Sequence, residues 1–171
     1  LRVVQSQPAL QNLPGAEWNY NNTGYLLLAQ VVEKATGRPF TRWVEEEVFA
    51  PLAMHDTGFR TAPDQVIPHG AYGYRPLPGA PAPAPWREAP DVGPAIGAGS
   101  LYSTLDDLAT WMTALHGTDP RWAEPLALMA EPYTLLDGGT VPYGLGLEVD
   151  REGGLLRLHH PGGDMGHQSH F

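Results

Sequence analysis

The chain has 171 residues, 42% of them hydrophobic, and a formal net charge of -9 with a pI near 5.1. That length suits one domain or a large part of one, with enough apolar material for a core. Lys34 is the only lysine, so there is no basic patch to hold nucleic acid, and zero cysteines exclude disulfides, thiol catalysis and thiolate-bound zinc.

No apolar run approaches the roughly 18 residues that a membrane helix needs. The opening Leu1-Arg2-Val3-Val4-Gln5 lacks the apolar stretch and cleavage site of a signal peptide. With no initiator Met, the chain is expected to begin inside a longer protein. The compartment stays open: periplasmic, secreted and cytoplasmic locations all fit.

Residues Leu1 to Gln7 read as the tail of a helix, with Leu1, Val4 and Val3 turned inward, and Leu13-Pro14-Gly15 reads as a turn. Trp18-Asn19-Tyr20-Asn21-Asn22-Thr23-Gly24-Tyr25 then places a phenol and a carboxamide two residues apart, just before a helix expected over Thr23 to Thr36. Gln30, Glu33 and Lys34 make one narrow polar stripe on it. Tyr25, Leu26, Leu28, Ala29, Val32 and Ala35 cover most of the rest, which predicts a largely buried helix. Asn22 is the expected N-cap, and Gly37 followed by Pro39 the stop.

A helix N-terminus carries partial positive charge and unpaired N–H groups. Free tyrosine has a pKa of about 10, too high for a base at neutral pH. A helix end and a nearby cation favour the phenolate, the condition under which a tyrosine can act as a general base. The same residues also admit a purely structural reading, in which Asn22 only caps the helix and Tyr20 only packs on Trp18.

Pro39 opens a second helix to about Val48, with Phe40, Val44 and Val48 at i+4 spacing and Trp43 beside them. Met54 to Phe59 is a connector, and Val66 to Tyr74 has room for a short strand. Pro76 to Pro90, rich in Pro and Ala, reads as an extended surface loop. Gly97-Ala98-Gly99-Ser100-Leu101 is a weak phosphate signal, because no Gly-Lys-Ser/Thr follows it. Ser103 or Thr104 caps a third helix that ends at Gly117. Asp106 and Asp107 fall in its first turn, and Leu105, Leu108, Ala109, Met112 and Leu115 form its apolar stripe. Trp122 to Ala130 is a shorter helical piece.

The pattern then changes. Tyr143 to Val149 alternates, with Leu145, Leu147 and Val149 on one face. Gly153-Gly154 turns the chain, and Leu155 to His159 pairs back as an antiparallel hairpin. His167 to Phe171 can start another strand. Helices first and a hairpin later read as α+β. The expected layout is one partial domain over 1–171, helical to about 135 and β from about 140.

Five candidate metal ligands lie between His159 and His170: His159, His160, Asp164, His167 and His170. A metal is not favoured. His159 and His160 are adjacent on a strand and point to opposite faces, and no His-Glu-x-x-His motif supports a site. Two readings remain: a Gly-rich turn with solvated histidines, or one His facing a site, followed by glycines whose N–H groups can approach a substrate.

Taken together, several segments resemble the serine β-lactamase and penicillin-binding-protein-like family, with its class C β-lactamase, esterase and D-peptidase members. They are Pro14-Gly15 followed by Tyr20-Asn21-Asn22-Thr23-Gly24-Tyr25, then Gly37-Arg38-Pro39-Phe40, then Phe49-Ala50-Pro51-Leu52-Ala53-Met54-His55-Asp56-Thr57-Gly58-Phe59. Gly97-Ala98-Gly99-Ser100-Leu101-Tyr102-Ser103-Thr104 with Asp106-Asp107-Leu108, and finally His160-Pro161-Gly162-Gly163, continue the likeness in order. That family carries Ser-x-x-Lys, Tyr-x-Asn and Lys/His-x-Gly.

The resemblance implies a β-lactamase/transpeptidase-like α+β fold, here a helical subdomain with part of an antiparallel sheet, incomplete at both ends. It implies Tyr20 as the proton relay, Asn22 as the substrate-binding amide and His160 as the third-motif cation or donor. Gly162 would let the edge strand lie along substrate, and the N–H of Gly163 would form half of an oxyanion hole. It implies no cofactor, a small ester, β-lactam or D-amino-acid peptide as substrate, and the remainder of its own domain as partner. The departure is that Ser-x-x-Lys is absent: Val31 stands three residues before Lys34. The expected activity is therefore that of a longer serine hydrolase whose nucleophile lies outside this chain, and the chain alone is expected to be inactive. A non-catalytic binding or scaffold module of the same fold is the alternative. Met165 and His167 also replace the Pro and Phe often seen in the third-motif loop.

Overall fold

A computed structural model describes residues 2–89, 93–117, 119–164 and 166–171. In chain order come α1 (Arg2–Gln5), α2 (Asn22–Thr36) and α3 (Phe40–Val44), then strands β1 (Gly58–Phe59), β2 (Tyr74–Pro76), β3 (Trp86–Glu88) and β4 (Leu101–Tyr102). Next are α4 (Leu105–His116), α5 (Pro120–Met129), β5 (Tyr133–Thr134), β6 (Thr140–Val141), β7 (Glu148–Glu152), β8 (Leu155–His159), β9 (Pro161–Asp164) and β10 (His167–His170). These strands form antiparallel two-stranded sheets: β1 with β4, β2 with β3, β5 with β6, β7 with β8, β9 with β10. No described helix is long and apolar enough to cross a membrane.

The chain divides into two compact units. Leu1–Tyr25 joins Met112–His160 in one, and Leu26–Trp111 joins Pro161–Phe171 in the other.

In the first unit, the β7–β8 hairpin forms where the alternation places it. Glu148 pairs with His159 and Glu152 with Leu155, which leaves Gly153-Gly154 as a two-residue turn. Both glycines have positive φ, as the tight hairpin turn requires. Leu147 and Val149 are buried, whereas Leu145, placed on the same face by the sequence pattern, is 60% exposed. It lies before the strand, in the bend where the Leu145 N–H bonds to the Met129 carbonyl at the end of α5. Asp119 caps α5 by accepting from the Arg121 N–H at 3.0 Å.

In the second unit, α3 runs into a π turn (Glu45–Phe49) and a 3₁₀ turn (Ala50–Leu52). Val44, Phe49 and Met54 form its buried core, flanked by Phe40, Trp43, Val48, Leu52, Phe59 and Trp111. Asp107, in the first turn of α4, is buried. Its Oδ2 accepts from the Asp56 N–H at 2.9 Å and from the Thr57 hydroxyl at 2.7 Å. Thr104 caps that helix, accepting from the Asp107 N–H at 3.2 Å.

Three expectations are corrected. The helix over Thr23 to Thr36 forms, as α2, but only Ala29 on it is buried; Leu27, Leu28 and Val31 are 40%, 54% and 60% exposed. An apolar stripe reports what a helix can bury, not what covers it. Second, Asn21 rather than Asn22 caps α2, its Oδ1 accepting from the Gly24 N–H at 3.1 Å. Third, the Pro-rich stretch is not coil throughout. Trp86–Glu88 pairs with Tyr74–Pro76, and the Leu77 N–H bonds to the Pro85 carbonyl, so Pro76 sits at a strand end and Pro78, Pro81, Pro83 and Pro85 in the connecting loop, while Pro90 lies outside the described residues.

Candidate active site

Tyr20 lies two residues before α2 and is 55% exposed. His160 follows directly on β8. The two rings come within 5.8 Å, centroid to centroid, with planes inclined at 31°. Both belong to the first unit.

Tyr143 completes the group. Its hydroxyl is 2.8 Å from His160 Nε2, and its ring stands edge-on to both His160 (5.8 Å, 77°) and Tyr20 (6.4 Å, 84°). Trp18 packs on Tyr143 at 5.3 Å, where the sequence had suggested Tyr20 as its partner. Burial pushes the Tyr143 phenol up to about 12, reinforced by the neighbouring Tyr25, Tyr20 and Glu148 charges. Tyr143 is therefore a neutral hydroxyl at any physiological pH. Tyr25 is also raised, by burial first and by Tyr20 second.

The backbone around Tyr143 is pinned. Its N–H bonds to the Val141 carbonyl (2.7 Å), and its own carbonyl accepts from the Tyr133 N–H (3.1 Å). The next residue, Gly144, has no room for a Cβ against the Met129 carbonyl. Sequence reasoning missed Tyr143. It was the first residue of an alternating stretch, and nothing local marks it as the partner of a histidine on a later strand.

His159 and His160 face different partners, as adjacent strand positions should. His159 is buried, with Nε2 3.2 Å from Asp150 Oδ2 and Nδ1 3.7 Å from Glu148 Oε2. Arg157 also grips Asp150, at 2.6 Å, and the Asp150 carboxyl is pulled down to about 2, by Arg157 first and His159 second. Among the described residues, no three His, Cys, Asp or Glu side chains are placed to hold a metal ion.

Asn22 is exposed at the first position of α2 in the first unit. Gly162 and Gly163 lie in the second unit, on β9, opposite Ser169 and Gln168. A Cβ on Gly162 would come within 2.5 Å of Ser169 Oγ, while one on Gly163 would meet open space. His167 Nε2 bonds to the Ala71 carbonyl at 3.1 Å, and Met165 lies outside the described residues. The structure thus brings Tyr20 and His160 together through a third ring.

The family model Beta-lactamase matches residues 1–171. The chain belongs to the beta-lactamase family. Among curated relatives, the D-aminopeptidase of Gluconobacter oxydans is 27% identical over 169 residues, covering 99% of this chain and 31% of that protein. The D-alanyl-D-alanine-carboxypeptidase/endopeptidase AmpH of Escherichia coli K12 is 32% identical over 119 residues, covering 67% of this chain and 27% of AmpH.

Among solved structures, the penicillin binding protein of Bacillus halodurans superposes with a TM-score of 0.77 at 26% identity, over 95% of this chain and 50% of that one. A D-stereospecific amidohydrolase from Streptomyces gives 0.70 at 30% identity, over 90% and 45%. The chain therefore spans 31% and 27% of those curated relatives and about half of those solved chains. Its helices and small antiparallel sheets are part of the β-lactamase/transpeptidase fold.

Proposed function

We propose that this chain is the Tyr-x-Asn and His-x-Gly portion of a serine hydrolase whose nucleophile, a Ser-x-x-Lys serine, lies outside residues 1–171. The observation that carries the reading is the approach of Tyr20 and His160, residues of the second and third family motifs, to 5.8 Å in one compact unit. The substrate class we favour is a peptide or amide bearing a D-amino acid, since D-aminopeptidase, D-alanyl-D-alanine-carboxypeptidase and D-stereospecific amidohydrolase are the names its relatives carry.

The serine oxygen attacks the substrate carbonyl carbon. Tyr20 relays the serine proton to the leaving nitrogen as the C–N bond breaks. Water then hydrolyses the acyl-serine ester, returning the acid and the free serine. Asn22 holds the substrate amide, and His160 is a hydrogen-bond donor at the site. Gly162 allows close approach of the edge strand. The Gly163 N–H stabilises the tetrahedral oxyanion.

The test begins with the coding sequence on the N-terminal side of Leu1. A Ser-x-x-Lys there, together with release of ammonia from D-alanine amide by the full-length protein and loss of that activity on Ser→Ala, is the expected result. A full-length protein without the motif and without amide or ester turnover would favour a binding or scaffold module built on the same fold.

A further inference from the structure

We propose that Tyr143 is a positioning residue for His160: its hydroxyl donates to Nε2, which keeps the imidazole proton on Nδ1 and fixes the plane of the ring. The proposal rests on the reading of His160 as the third-motif residue.

Geometry comes first. At 2.8 Å the contact is a full hydrogen bond, and the two rings are close to perpendicular at 77°. A hydroxyl can donate or accept, so the partner's chemistry decides the direction. A phenol O–H is a stronger donor than a neutral imidazole N–H, and an unprotonated imidazole nitrogen is a stronger acceptor than a phenol oxygen. The bond is therefore best made with Tyr143 donating, which requires Nε2 without a proton. The upward shift of Tyr143 agrees: the phenol keeps its proton to donate.

The donor is also held in place by its neighbours. Trp18 lies against its ring, and Tyr20 meets its edge. Its backbone is bonded to Val141 and Tyr133, and Gly144 seats the following peptide on the end of α5. A hydroxyl on so constrained a ring selects one orientation of its partner. The neighbouring histidine shows the contrast. His159 faces two carboxylates, with Nε2 3.2 Å from Asp150 Oδ2 and Nδ1 3.7 Å from Glu148 Oε2. His160 faces phenols. Two adjacent histidines are thus given different chemistry by the two faces of one strand.

Function follows from the tautomer. With Nε2 accepting from Tyr143, the ring proton sits on Nδ1. Removing the Tyr143 hydroxyl takes away the bond that selects this tautomer, so only part of the population stays productive.

The test uses the full-length protein with ¹⁵N-labelled histidine, the His160 signals being assigned by their loss in His160→Gln. In the wild type, Nε2 should resonate as an unprotonated and Nδ1 as a protonated nitrogen. In Tyr143→Phe, which keeps the ring and its packing, the pair should move toward the mixture of free histidine, in which Nε2–H dominates. kcat/KM on a D-amino-acid amide should fall roughly 3- to 10-fold in that variant, the rate equivalent of one ordinary hydrogen bond. A wild-type Nε2–H tautomer overturns the proposal, and so does an unchanged tautomer in Tyr143→Phe. Neither result bears on whether His160 serves the reaction. That reading is judged separately by turnover in His160→Gln; wild-type turnover there removes the reading, and with it any catalytic purpose for Tyr143.

Discussion

The rings of Tyr20 and His160 lie 5.8 Å apart at an inclination of 31°, although one precedes the first long helix and the other follows the main hairpin. Tyr20 is more than half exposed, and its ring neighbours are Tyr143 and His160. Its hydroxyl is therefore dispensable for packing. In the full-length protein, Tyr20→Phe is expected to melt within a degree or two of wild type while turnover falls by ~10²–10⁴-fold, the usual contribution of an acid–base group. Wild-type turnover by a folded Tyr20→Phe protein would return the residue to a packing role.

The two asparagines after Tyr20 separate cleanly. Asn21 caps α2 through the Gly24 N–H, and Asn22, one residue on, is already helical. Asn21→Ala should cost about 0.5–2 kcal/mol of stability, as losing an N-cap side chain does. Asn22→Ala should leave the melting temperature nearly unchanged and raise KM for substrate. Thermal melts beside steady-state kinetics check this. The reverse pattern, with Asn22→Ala the less stable variant, would contradict the cap assignment.

This one-residue difference shows how far the sequence reached. A 3.6-residue period and a Gly-Gly turn between alternating strands are local, and α2, α4 and the β7–β8 hairpin were legible from them. Which of two neighbouring asparagines caps is set by one backbone dihedral, and a composition pattern does not encode that. Tyr143 was harder. Its partnership with His160 depends on where the chain bends between β6 and β7, and on the register Glu148 to His159. The β2–β3 hairpin was hidden because proline at its ends and Arg75 opposite Arg87 are poor strand signals, yet antiparallel pairing tolerates both at an exposed edge.

Asp107 links α4 to the chain before β1. Its Oδ2 is the acceptor for both the Asp56 N–H and the buried Thr57 hydroxyl, which is also 2.7 Å from Ser103 Oγ. Asp107→Ala would take the acceptor from the Asp56 N–H and leave the Thr57 hydroxyl only Ser103 Oγ, at a residue that is 8% exposed. A loss of about 1–3 kcal/mol or more is expected, because unsatisfied buried donors cost their full desolvation. Asp107→Asn keeps one oxygen and should lose less. Urea unfolding with an unchanged m-value is the check, and equal stability of all three proteins would exclude the network as a stabilising element.

Acid should weaken the β7–β8 hairpin. Asp150 is held near 2, below the ordinary aspartate value of 3.8, by Arg157 and then His159. Its folded value being the lower one, the ionised carboxylate favours the folded state above about pH 4. That contribution fades as pH falls from about 4 to about 2. Both side chains of the pair are partly exposed, at 39% and 45%, so salt should weaken the effect. Melting temperatures measured across that range should slope less in Asp150→Asn and in Arg157→Gln than in wild type. Parallel slopes in all three proteins would show that the pair makes no contribution.

The exposed face of α2 yields the last test. Leu27, Leu28 and Val31 present apolar side chains to solvent, while Ala29 is 3% exposed. Within residues 1–171, Leu28→Asp should therefore change stability by no more than about 0.5 kcal/mol, as surface substitutions do. Ala29→Asp should unfold the chain, because it buries an unpaired carboxylate. The chain spans 31% of the Gluconobacter D-aminopeptidase and 50% of the Bacillus halodurans protein. If the whole protein has the length of those relatives, further chain is the natural cover for three neighbouring apolar side chains. Leu28→Asp should then cost several kcal/mol in the full-length protein and almost nothing in the shorter chain. Calorimetry of both variants in both lengths decides the matter. Equal, small effects in the two lengths would mean that the remainder of the protein leaves this face of α2 in water.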